Sequence, residues 1–143
     1  MASNDKPARG PFLTTIAILF TVLAISNWTK AFQHMLDPKT LGIVIFGFRF
    51  ESVVANLLLG PIMGTVIGLY AYGLWTLRSW VKPLSIGYAF YVPANLVLFW
   101  WAHVEPEKPP LIGILVYLMF AFTGSIGTAL YLAYHPDKLG RRE

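Results

Sequence analysis

Four apolar runs, each close to twenty residues long and separated by short links bearing charges or prolines, leave this chain few ways to fold. About 20 consecutive apolar residues suffice for a helix to cross a ~30 Å hydrocarbon core. The runs fall at about 11–28, 52–76, 84–103 and 111–134. Pro11 suits a first helical turn. Pro83 and Pro110 mark the starts of the third and fourth runs, because proline cannot continue a preceding helix. Composition agrees, with 56% hydrophobic and only 13% charged residues, against about 25% charged in an ordinary soluble domain. Mean hydropathy is +0.58. The expected fold class is all-α: an integral membrane four-helix bundle forming a single transmembrane domain over residues 1–143.

The basic residues sit at the ends of these runs. Lys6, Arg9, Arg78, Lys82, Lys138, Arg141 and Arg142 fall on one side, and Lys30, Lys39, Arg49 and Lys108 on the other. That excess predicts both termini in the cytoplasm by the positive-inside rule. The net charge of +4 therefore reads as a topology signal and not as a nucleic-acid footprint. Trp28, Trp100 and Trp101 mark the outer interface, Trp75 and Trp80 the inner one. Lys6 and Arg9 before the apolar Phe12–Ile25 stretch imitate a signal peptide, but the "AIS" cleavage pattern at Ala24–Ser26 is weak, so a retained helix is expected. Compact hairpins and short tails favour a multi-pass protein of a bacterial inner membrane.

The stretch at 40–50, "TLGIVIFGFRF", does not fit a simple span. Continuous with the second run it would make a helix of roughly 50 Å, too long for the core. Phe46, Phe48 and Phe50 alternate with Gly47, Arg49 and Glu51, a period of two. The segment is expected to be interfacial or re-entrant, the alternative being an overlong tilted helix. Residues two apart on an extended chain point the same way, so Arg49 and Glu51 are expected to pair, or Arg49 to hold a lipid phosphate.

Within the second run, Gly60, Gly64 and Gly68 recur every four residues and share one helix face. Membrane helices associate by close packing, and such a glycine zipper lets another backbone approach. Ala121, Ser125, Ala129 and Ala133 repeat at the same spacing in the fourth run. The two stripes are expected to pack together, within one chain or across a dimer; a glycine-lined pore is the other reading. Pro61 and Pro93 remove backbone hydrogen bonds inside the second and third runs, as architectural kinks or to open a cavity. "GTVIGLYAY" at Gly64–Tyr72 and "GTALYLAY" at Gly127–Tyr134 form a faint internal echo, as in a duplicated hairpin.

Polar groups within the apolar runs are few. Asn56 and Asn95 are expected to satisfy each other or nearby carbonyls, or with Arg49 to line an outer-facing pocket. His34 and His103, with Asp37, Glu105 and Glu107 nearby, could form a His₂–carboxylate metal site or axial haem ligands, although no zinc signature is matched. His135 suits a helix C-terminus. The chain has no cysteine, which excludes thiolate metal sites, iron–sulfur ligation and thiol nucleophiles. It shows no phosphate-cradling glycine loop, nucleophile elbow or paired intramembrane carboxylates. The expectation is a non-catalytic accessory or structural subunit of a larger membrane protein complex, without a dedicated cofactor. Its partners would be membrane lipids and other membrane subunits or further copies of itself. The alternative is a small transporter, channel or lipid-binding protein.

Overall fold

A computed structural model describes residues 9–37, 42–102 and 111–139. The chain is mostly helical. Among the described residues three helices are long and apolar enough to cross a membrane: α1 (Gly10–Trp28), α3 (Val53–Thr76) and α4 (Val81–Ala102). A seven-residue helix, α2 (Lys30–Leu36), follows α1 after a break at Thr29. The last helical rod comprises α5 (Leu111–Phe122), a five-residue π turn (Thr123–Gly127) and α6 (Thr128–Tyr134).

Local chemistry accounts for the ends of these elements. Pro11 lies in the first turn of α1, after Gly10 turns the chain with φ +75°. Ser52 caps α3, its hydroxyl accepting from Ala55 N at 3.1 Å. At the far end Leu77 adopts a left-handed conformation, and Arg78 N returns to Gly73 O at 3.1 Å. Val81 and Trp80 then close over Gly73, where any Cβ would strike the Val81 side chain. α4 begins at Val81, not after Pro83, because proline is tolerated in a first turn where its missing N–H has no helical acceptor. Inside the helices, hydroxyls bond the carbonyl four residues back, as Thr14, Thr21, Thr76 and Ser125 do. That satisfies a polar side chain without water. The Ser125 bond to Ala121 O, at 2.6 Å, lies where the helix widens into the π turn.

The core is the seam between α1 and α3. Leu13, Ile16, Ala17, Phe20 and Ala24 pack against Ile67, Tyr70, Ala71 and Leu74, with Val81 and Leu132 closing the basic end. The glycine stripe serves this seam. A Cβ on Gly60 would lie 2.6 Å from Asn27 O, and one on Gly64 would strike the Trp28 ring and lie 2.9 Å from Ala24 O. Within the chain the stripe therefore docks on α1 and not on the fourth run. Of the second stripe, Ser125 and Ala129 are buried, Ala121 is half-buried and Ala133 is exposed. This part of the chain packs mainly against α4, with Gly124 beside Phe20 of α1. α3 meets it instead where the buried Tyr70 and Thr128 hydroxyls face each other.

The chain is not wholly α-helical. Ile43–Ile45 (β1) and Phe48–Phe50 (β2) form an antiparallel hairpin with Ile43 opposite Phe50 and Ile45 opposite Phe48. This hairpin, and not an overlong helix, is the form taken by residues 43–50 of the segment expected to be interfacial or re-entrant; residues 38–41 lie outside the described residues.

Candidate functional site

The hairpin is the least ordinary feature of the fold, and its residues explain how it is held. Of the two-residue connections that match strand twist, type I′ requires positive φ at both positions. Phe46 has φ +48° and Gly47 φ +80°. Glycine adopts this conformation without a Cβ penalty, whereas phenylalanine does so against a cost of about 1–2 kcal/mol. The Phe46 ring packs edge-on against Tyr91 of α4, centroids 5.4 Å apart, an arrangement that contributes about 0.5–1.5 kcal/mol beyond its buried area.

Two asparagines pin the hairpin to the helices from opposite ends. Asn56 of α3 is wholly buried. Its Oδ1 accepts from Ile43 N at 2.9 Å, and its Nδ2 donates to Phe50 O at 2.8 Å and Ser52 O at 2.9 Å. One carboxamide thus closes the rung between the two strands at their open end. Asn95 of α4 reaches the other end, where its Oδ1 accepts from Gly47 N at 2.9 Å. The two side chains do not bond each other; both serve the backbone of the hairpin. Such bonds are needed because a short two-stranded sheet has no helix ladder to satisfy its backbone groups, and unsatisfied ones are expensive away from water. Close approach completes the fit. A Cβ on Gly42 would collide with the Phe50 carbonyl, and one on Gly47 would lie 2.6 Å from the Leu98 carbonyl carbon.

Arg49 and Glu51 do meet, Nε to Oε1 at 3.3 Å, with the Glu51 side chain largely exposed. Exposed pairs of this kind contribute about 0–1 kcal/mol. Inward from Phe46 an aromatic column continues through Tyr91, Tyr88 and Tyr70 to Phe20, with successive centroids 6.2, 5.6 and 4.8 Å apart. It links the hairpin on α4 to the α1–α3 core.

His34 lies on α2, and His103 lies outside the described residues. Among the described residues there is no cluster of three His, Cys, Asp or Glu side chains able to hold a metal ion. His135 follows α6; its ring stacks on Tyr131 at 4.5 Å, and Nδ1 is 3.0 Å from Tyr131 O.

Sequence reasoning found Asn56, Asn95 and the period of two, but not the roles of Gly42, Gly47 and Phe46. A Phe-Gly turn carries half of the usual Asn-Gly or Asp-Gly hairpin signal, and the alternating phenylalanines concealed the reversal between 46 and 47. No protein-family model, curated protein or solved structure matches this chain.

Proposed function

We propose that the protein is a non-catalytic accessory subunit of a larger membrane protein complex, a multi-pass protein of a bacterial inner membrane. In this reading α1, α3, α4 and the 111–134 rod form a four-helix bundle with both termini in the cytoplasm. The observation that carries it is the uneven burial of the helices. In α1 and α3, 28% of the apolar stretch is buried within the chain, but in α4 only 6%. Phe90, Val97, Trp100 and Trp101 of α4 are exposed, as are Ile112, Leu115, Met119 and Phe120 of α5. A tight α1–α3 pair thus carries two helices whose sides are largely uncovered, and lateral partners would bury them through van der Waals packing. The reading as a transporter or channel with a polar pocket has no comparable support, because the Asn56 and Asn95 carboxamides bond the hairpin.

The test is the composition of the particle extracted from native membranes in mild detergent. Co-purification of the 16.0 kDa chain with larger membrane proteins, lost when Trp101 and Phe90 are replaced by serine, is the expected result. A monodisperse particle of this chain alone, with transport or enzymatic activity of its own, would overturn the proposal.

A further inference from the structure

Beside the α1–α3 seam, on the outer surface of the bundle, runs an open groove of ≈ 700 Å³. Ala24, Gly64 and Gly68 are among the small residues lining it, with Trp28, Tyr72 and Trp75 among the aromatic ones. Its length follows from its lining. It extends along α3 from Gly64 to Thr76, and twelve residues at 1.5 Å each make about 18 Å. That is close to one leaflet of a ~30 Å core.

The end of the groove at Trp75 carries a charge. The Arg9 guanidinium lies over the Trp75 ring, 4.2 Å from its centroid, while the indole N–H donates to Thr21 Oγ1 at 3.1 Å. Arg9 Nε and Nη1 are buried and find no hydrogen-bond partner among the described residues. Guanidinium stays ionised at any accessible pH, so partial burial leaves a positive charge short of hydration and of acceptors. Arg9 as a whole is only half-buried, which leaves room for an anion to approach. Among the described residues this end of the bundle also bears Arg78, Lys82 and Lys138, against Asp137 as the acidic residue.

An apolar furrow one leaflet long, lined at one end by Trp75, over whose ring lies an arginine with donors unpaired among the described residues, matches one kind of molecule. We infer that the groove beside the α1–α3 seam binds an anionic phospholipid of the leaflet on the basic side, an acyl chain lying along Gly68, Leu69 and Tyr72 and the phosphate paired with Arg9. Trp75 holds the guanidinium at the mouth by cation–π attraction, and arginine suits phosphate through its planar fork of donors. This site is separate from the uncovered faces of α4 and α5 and stands whether or not the protein belongs to a complex.

Native mass spectrometry of the full chain, equilibrated with phosphatidylglycerol and phosphatidylcholine in equal amounts, tests it. The expected result is retention of one phospholipid with phosphatidylglycerol preferred. Arg9→Gln should lower that preference about fivefold, the effect of one basic side chain near anionic lipid, while Arg78→Gln leaves it unchanged. Thr65→Trp, which fills the groove from its exposed side without touching Arg9, should abolish retention and reads the site even if Arg9→Gln fails to fold. An unchanged preference in Arg9→Gln, or an equal loss in Arg78→Gln, would overturn the inference. So would a lipid-free homodimer cross-linked through Thr65→Cys, which would place a second copy in the groove.

Discussion

At Asn56 a single carboxamide joins three backbone groups, Ile43 N, Phe50 O and Ser52 O, and its two ends can be tested separately. Asn56→Leu removes all three bonds from a fully buried site. It should destabilise the protein by about 2–4 kcal/mol, since buried partners left unsatisfied cost 1–3 kcal/mol each and the effects overlap. Asn56→Asp keeps the acceptor for Ile43 N but sets a carboxylate oxygen against the Phe50 and Ser52 carbonyls, and should be at least as damaging. Unfolding measured in bilayer nanodiscs decides; a stability unchanged in Asn56→Asp would mean that the donor side of the clamp contributes nothing. Gly47 offers a second contrast. Gly47→Ala sets a Cβ against the Leu98 backbone at φ +80°, whereas Gly87→Ala meets nothing within 4 Å. The first should lower the melting temperature by several degrees and the second should leave it unchanged or raise it.

Among elements, the α1–α3 seam carries the fold, and its three glycines are not equivalent. Gly60→Ala and Gly64→Ala would each drive a methyl group into α1, against Asn27 O or against Trp28 and Ala24 O, while Gly68→Ala makes only ordinary contact with Ala24 Cβ at 3.7 Å. The expected order of stability is Gly68→Ala close to wild type, with Gly60→Ala and Gly64→Ala lower by about 1–3 kcal/mol, the usual penalty of overpacking. Thermal denaturation of the three variants checks it. Equal effects at all three positions would contradict a seam in which Gly60 and Gly64, but not Gly68, lie tight against α1. The hairpin depends on both neighbours, α3 through Asn56 and α4 through Asn95 and Tyr91. Asn95→Ala should therefore loosen the turn at Gly47 while the base of the hairpin keeps its bonds, seen as faster amide exchange near 46–48 than at Ile43.

For the whole molecule, the absence of cysteine makes orientation directly testable. Single cysteines placed at Ser3 and at Glu143 should react with a membrane-impermeant maleimide only after the cytoplasmic face is opened, and one at Glu107 should react in intact cells. Labelling of either terminus from outside would reverse the proposed topology or leave an odd number of spans. The large uncovered areas of α4 and α5 belong to the same scale: lipid covers them in an isolated chain, and a partner helix would displace that lipid only through closer van der Waals packing, which is what the co-purification test reads. The aromatic column from Phe46 to Phe20 is one lateral tie that joins α4 to the α1–α3 pair, beside the turn at Gly73 and the hairpin held by Asn56 and Asn95.

The three long helices were legible from residue order alone, because apolar length is a local property that bilayer thickness converts into a span; proline position was a poorer guide to helix ends, since Pro83 lies inside the first turn of α4 and does not precede it. The special character of 40–50 was legible too, through its period of two. Which helix receives the glycine stripe was not, since a spacing of four defines a face but names no partner, and α1 carries no matching repeat. Nor was the service that Asn56 and Asn95 perform. Each could bond any backbone group within reach, and only the folding of 43–50 into a hairpin between α3 and α4 brings Ile43, Gly47 and Phe50 to them. Periodicity determined which side of each helix is smooth or polar; the tertiary structure decided what lies against it, because contact between residues distant in the chain depends on how the helices are arranged, and no local pattern records that.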